Sequence, residues 1–364
     1  MKPFLAFVVL ALVVAGCSQP ASAPAQPAQK PLELQFGTAG DDYVEHLAVN
    51  ENGVYLGGQR NGKPALVKFS RTGRIPWTKS LASTGNVLEV ALSSAGDVYA
   101  LYRTDDARYA VRKYTQDGAL VWTRKFSNPS GDDFDIFVSD IDAQDNVYLA
   151  FSNYGNPETE LRKYSSDGKL VYDKQVAGSI RDLAVTSSGT TYTVSEQHLT
   201  RYTSQGQQVW QRTLPFAATD VALGNSSQIY VGGYDPSFYE DRQLLAKYSS
   251  SGSKSWQRTV REGFFSSLQA LDADTVGNVF VGVEYHEDPY SNVEVYFYSY
   301  NAAGTRLAKR LLDFGGDDSL LGEIKALSAT EVYVGGTVLN YGDSELDGFL
   351  ARLNGLTGTV TWQR

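Results

Sequence analysis

Cysteine, methionine and histidine are nearly missing from this 364-residue chain. The single cysteine, Cys17, excludes an intrachain disulfide and a thiolate metal cage. The single methionine is the first residue, against the usage of helix-rich chains. Three histidines, His46, His198 and His286, are scattered, so no multi-histidine metal centre is expected. A basic excess is also missing. Lys and Arg number 32 against 41 Asp and Glu, a net charge of −9, which excludes bulk nucleic-acid binding. No GxSxG elbow and no EF-hand spacing occur. What is abundant is Gly, at 34, and Tyr, at 23. That mixture fits many short strands joined by tight turns.

The first residues read as an address. Lys2 is followed by an apolar run, 4–14, too short for a typical bilayer-spanning helix. The run ends Val14-Ala15-Gly16-Cys17, which resembles the bacterial lipobox. The resemblance implies cleavage before Cys17, lipidation of its thiol, and an envelope location with the outer membrane favoured. Several acyl chains on one residue bury enough CH₂ groups for stable anchoring. Residues 18–31 carry four Pro and no large apolar side chain, so a linker is expected. At ~3.1 Å per residue it reaches about 40 Å when extended.

The remaining chain, 32–364, is one repeat written seven times. A Gly is followed four residues later by an aromatic at Gly73/Trp77, Gly118/Trp122, Gly168/Tyr172, Gly206/Trp210, Gly252/Trp256 and Gly358/Trp362. The sixth copy departs, with Ala308 after Gly304. Another aromatic lies upstream in each copy: Tyr55, Tyr99, Tyr148, Tyr192, Tyr230, Phe280 and Tyr333. The interval averages about 46 residues, the length of a four-stranded propeller blade. In the first copy, 44–49, 54–58, 65–70 and 75–81 read as strands A to D. Turns such as Asn52-Gly53 and Asp117-Gly118 tolerate positive φ. The fold class is therefore all-β, a seven-bladed β-propeller of four-stranded antiparallel blades, and a monomer is expected. The repeat aromatics are expected between neighbouring blades. Residues 32–36, which precede a Gly-Asp-Asp turn as 310–314 do, are expected to pair within the last blade and close the ring.

The pattern of residues 36–81, from Phe36-Gly37 through Gly40-Asp41-Asp42-Tyr43 to Gly73 and Trp77, resembles the SBBP-type bacterial β-propeller repeat, a relative of PQQ-like repeat propellers. The resemblance covers 32–364 and implies the fold, not the ligand. Quinoprotein dehydrogenases share related repeats, but the vicinal cysteine pair of many of them is impossible here.

Function is expected where loop length varies. A–B and C–D turns lie on one face of a propeller, B–C and D–A connections on the other. The B–C connections lengthen in blades 5 to 7. There they carry Tyr234, Asp235, Phe238 and Tyr239, then Tyr285, His286, Asp288 and Tyr290, then Tyr341 and Asp343. Aromatics with acids suit a protein or glycan surface. The D–A connections add Asp41, Asp42, Asp132, Asp133, Asp317 and Asp318 to this face. These pairs read either as turn caps or as an acidic rim, for which Ca²⁺ would be the fitting cation. No catalytic residue, cofactor or resident metal is expected. The leading reading is a lipid-anchored binding or scaffold module for an envelope protein or glycan. The alternatives are an outer-membrane assembly factor resembling PQQ-like propeller lipoproteins, and a glycan-active enzyme using paired loop carboxylates. Replacing Cys17 by Ser is expected to move the protein from the detergent-extractable membrane fraction to the soluble one. Continued membrane fractionation would contradict the lipobox.

Overall fold

A β-blade has two apolar faces and can bury them only against other blades. In the computed structural model this requirement is met by a ring. It describes residues 40–105, 109–126, 136–152, 158–225, 228–237, 242–263, 265–288, 291–340 and 346–363. The expected segment 32–36 and Cys17 lie outside these residues.

Among the described residues, twenty-eight strands form seven four-stranded antiparallel sheets, each built from four strands consecutive in sequence. In the first blade strands A to D are Tyr43–Asn50, Gly53–Arg60, Lys63–Phe69 and Trp77–Ser80, within a few residues of the expected limits. The inner A strands of blades 2 to 7 are Val87–Leu92, Ile136–Ile141, Ile180–Val185, Ala217–Asn225, Ser266–Ala273 and Asp318–Ser328. Each A strand packs against the next, and that of the seventh blade packs against that of the first, so the ring closes. No described helix is long and apolar enough to cross a membrane.

The core lies between blades, not within one. Seven apolar clusters of buried residues correspond to the seven seams. At the closing seam Tyr333 and Leu350 of blade 7 pack with Val44, Leu47 and Leu56 of blade 1. The strand-B aromatics Tyr55, Tyr148, Tyr192, Tyr230, Phe280 and Tyr333 are fully buried, as their repetition predicts.

The outer strands carry a clamp. The Trp77, Trp122, Trp210 and Trp256 indoles donate to carbonyls in the next blade's C–D turn: Gln116, Ser166, Ser250 and Ala302, at 3.0–3.2 Å. Two residues further on stands a cation. Lys79, Arg124, Arg212 and Arg258 lie over those indoles, and the three arginines also donate to turn carbonyls of the following blade. Trp362 Nε1 donates to Arg71 O at 3.2 Å, so the seam between blades 7 and 1 uses the same bond. Arg71 reaches back to Glu331, which also takes Arg352 and the Tyr333 hydroxyl.

Each A strand except the third shows a register slip against its B strand, between Val44/His46, Val87/Glu89, Ile180/Asp182, Ala218/Asp220, Leu268/Ala270 and Leu321/Glu323. These β-bulges bring the backbones very close. A Cβ at Gly58 would lie 2.0 Å from the Tyr43 carbonyl oxygen, and one at Gly57 2.5 Å from Val90 of the next blade. Gly58→Ala is therefore expected to lower the Tm by at least the several degrees that about 2 kcal/mol represents in a domain of this size. A thermal melt followed by circular dichroism checks this; an unchanged Tm would show that the bulge can relax.

Candidate functional site: the acidic channel and the loop face

Closing the ring brings seven A strands around one axis, and their axis-facing side chains line a cavity of about 500 Å³. Side chains two apart share a strand face, so each strand presents two levels. At one level stand His46, Glu89, Val138, Asp182, Asp220, Ala270 and Glu323. At the next stand Ala48, Ala91, Asp140, Ala184, Ala222, Asp272 and Lys325. The four alanines keep the second level open. Six carboxylates thus face the ammonium of Lys325, with Arg181 also on the lining and held 3.5 Å from Glu196.

Four of the carboxylates do structural work. Asp140 accepts from the Val185 amide at 2.6 Å, Asp182 from Val221 at 2.8 Å, Asp272 from Ala326 at 2.7 Å, and Glu323 from Leu47 at 2.5 Å. In every case the acid belongs to one blade and the amide to the next. The acids staple the inner edges of the seams, as the tryptophans clamp the outer ones.

Crowding these acids away from bulk water disfavours their charged forms. Burial raises Asp140 to about 6, against the pull of the Val185 and Ile141 amides. Burial, and then the charge of Glu323, pushes Glu89 well above the ordinary carboxylate range. Burial, and then neighbouring Asp182, does the same to Asp220. Asp182 and Asp272 are raised too, chiefly by burial. His46 falls to about 4 through burial and then Lys325. Burial pulls Lys325 down, but Glu323, Asp272 and Glu89 outweigh it and leave the ammonium strongly held.

The loop-face residues are distributed differently from the expectation. Tyr234 is exposed at the end of its strand, and Asp235 caps Ser237 through the amide at 3.0 Å and the hydroxyl at 2.6 Å. Tyr285 is covered by the Arg261 guanidinium, 3.5 Å from its ring centroid, and meets Tyr296 edge-on at 6.1 Å. His286 Nδ1 lies 3.1 Å from the Ser291 carbonyl, and the Asp288 amide donates to the Ser291 hydroxyl at 2.9 Å. Phe238, Tyr239, Tyr290, Tyr341, Asp343, Asp132 and Asp133 lie outside the described residues.

Two members of the expected acidic rim do not face solvent. Asp42 and Asp318 are buried, at 0% and 8% exposure. Asp42 accepts from the Asn61 amide in the B–C turn at 2.9 Å, and Asp318 from the Val293 amide at 2.6 Å. Both tie a D–A connection to a B–C loop, which is the turn-cap reading. Asp41 is exposed and Asp317 half-buried. The concentrated acidity is on the axis, where the sequence reading had not placed it. Its trace is an acid flanked by apolar or small residues in most A strands, as in Leu88-Glu89-Val90, Thr219-Asp220-Val221 and Gly322-Glu323-Ile324.

Residues 108–363, more than two thirds of the chain, match the PQQ-like family model described as outer membrane protein assembly factor BamB. The chain belongs to this family. Members of the BamB-type family are thus its relatives by sequence, and it is a PQQ-like β-propeller repeat protein. A comparison with curated proteins finds none that matches. Solved structures of similar shape include virginiamycin B lyase from Staphylococcus aureus, 12% identical, TM-score 0.61, with 88% of this chain and 98% of that one covered. Hydrazine synthase of Kuenenia stuttgartiensis is 10% identical, TM-score 0.59, with 90% and 98% covered. Sqt1 from Chaetomium thermophilum is 13% identical, TM-score 0.57, with 91% and 90% covered. At such identities they establish the shared ring and nothing of its use.

The channel has a consequence for pH. A carboxylate whose folded pKa exceeds its unfolded value binds protons more tightly when folded, so it adds stability as pH falls through the folded value. Glu89, Asp140, Asp182, Asp220 and Asp272 act in this sense; His46, lowered, acts in the opposite sense below its unfolded value of about 6.5. Five groups outweigh one. The Tm is therefore expected to rise by a few degrees between pH 7.5 and 5, and Asp220→Asn to flatten the rise. A Tm that falls steadily over that range would contradict the shared protonation of the channel.

Proposed function

We propose that this protein is a non-enzymatic scaffold of the cell envelope, anchored through Cys17 and holding an envelope protein on its loop face during assembly at the outer membrane. The observation that carries this reading is the match of residues 108–363 to a family described as an outer membrane protein assembly factor. The geometry supports it in two ways. First, the loop face stands on a base stapled at both edges of its seams, so docking costs little ordering of the scaffold. Second, the B–C connections are two residues long in blades 1 and 4 but span 236–241, 286–293 and 340–345 in blades 5 to 7. The long loops are therefore neighbours around the ring.

A protein partner is favoured over a glycan by the state of Tyr285. Sugar binding to an aromatic uses its open face, and the Arg261 guanidinium already lies 3.5 Å from this ring centroid. The exposed Tyr234 and the stacked Arg261 are residue types that anchor protein interfaces. Four of the six channel carboxylates are engaged in holding neighbouring blades, which is structural use.

In-cell photocrosslinking from positions 234 and 287, with mass spectrometry of the products, tests the reading. One dominant envelope protein captured from both positions is expected. If neither position captures a protein and the purified propeller binds a glycan array, the glycan-module reading replaces this one.

A further inference from the structure

We propose that His46, Glu89 and Glu323 form a binding site for one divalent transition-metal cation in the wall of the central channel. The three residues come from blades 1, 2 and 7, far apart in sequence and adjacent once the ring has closed. They occupy one level, opposite Gly57, Leu101 and Gly335. One ligand atom of each lies within 4.8 Å of those of the other two. Small side-chain rotations would close that spacing onto a single ion at the usual ~2.0–2.2 Å.

The donor set is more than a group of acids, because it contains a nitrogen with no other use. The His46 imidazole makes no hydrogen bond among the described residues. Its Nδ1 stands 3.9 Å from Glu89 Oε1, beyond hydrogen-bond range, with a quarter of the side chain open to the channel. The two carboxylates are already aimed. The Leu47 amide holds Glu323 Oε2 at 2.5 Å, and the Val90 amide holds Glu89 Oε1 at 3.1 Å. Each carboxylate keeps further lone pairs for a metal. Such supporting bonds orient ligands and are part of metal-site construction.

The chemistry of the donors selects the ion. An imidazole with two carboxylates suits Zn²⁺, Mn²⁺ or Fe²⁺, whereas Ca²⁺ and Mg²⁺ take oxygen shells. The charge of the surroundings favours a cation of any kind, since six carboxylates face the Lys325 ammonium. That ammonium, Lys325, is paired with Glu323 and is the chain's own competitor for the position. Removing it should tighten metal binding, which no merely structural role of these residues would produce. The inference stands apart from the partner proposed for the loop face.

The test is isothermal titration of the full mature protein in detergent with ZnCl₂, paired with Co²⁺ absorption spectroscopy. One equivalent of Zn²⁺ is expected to bind, and Co²⁺ to give a visible spectrum. His46→Gln and Glu89→Gln should each weaken binding by about tenfold or more, and His46→Gln should alter the Co²⁺ bands. Lys325→Gln should tighten binding by about tenfold, and His198→Ala with His286→Ala should change nothing. Apo melts of each variant separate loss of the site from loss of the fold. Absence of binding at millimolar Zn²⁺, binding unchanged in folded His46→Gln, or weaker binding in folded Lys325→Gln would overturn the proposal.

Discussion

The structure depends on the contact between one blade and the next. A four-stranded blade has no interior of its own, so its apolar faces exist as a core only when neighbours cover them. The seven apolar clusters at seven seams are the direct expression of this. Polar bonds then fix register at both ends of a seam. Outside, an indole N–H and often an arginine take carbonyls of the next C–D turn. Inside, a carboxylate takes an amide of the next A strand. Apolar burial supplies the driving force, while the bonds decide how two slippery sheets are aligned.

The inner bond also creates the molecule's electrostatic character. An acid that caps the amide of the next blade is a local convenience, but closure gathers the acids on one axis. The resulting crowding is relieved by raised proton affinity, by Lys325, and by the bonds from backbone amides. The chain's net charge of −9 gives no hint of this arrangement, because the acids are not spread evenly. The outer strands of blades 1 to 6 carry eleven Lys and Arg, among them Lys79, Arg124, Lys174, Arg212, Arg258 and Lys309, and one acid, Asp173. Charge is thus sorted by radius, negative at the axis and positive at the circumference.

Much of the ring was legible in the sequence. The recurrence from Tyr55 to Tyr333, the Gly-to-Trp spacing and the Asn-Gly and Asp-Gly turns all report on local geometry, which recurs blade by blade. The channel was not legible, because a strand acid such as Glu89 or Asp220 looks in one dimension like a solvated position. Only the ring places it next to residues over a hundred positions away. His46 illustrates the point: it is a lone histidine in sequence, and its neighbours Glu89 and Glu323 are supplied by different blades. For Asp42 and Asp318 the turn-cap reading was legible, but their burial was not. Paired acids in a loop look exposed, yet each is turned inward to hold a neighbouring loop.

The seam between blades 7 and 1 differs from the other six in one respect, the order of synthesis. Every other seam joins blades that are consecutive in the chain, and each described blade is built from one continuous stretch. The seventh seam must wait for Tyr333, Leu350 and Trp362. A chain emerging amino end first therefore holds the apolar face of Val44, Leu47 and Leu56 uncovered until almost its whole length has appeared. The last blade acts as a keystone: without it only five seams would form, and the flanks of the first and sixth blades would stay open to association with other chains.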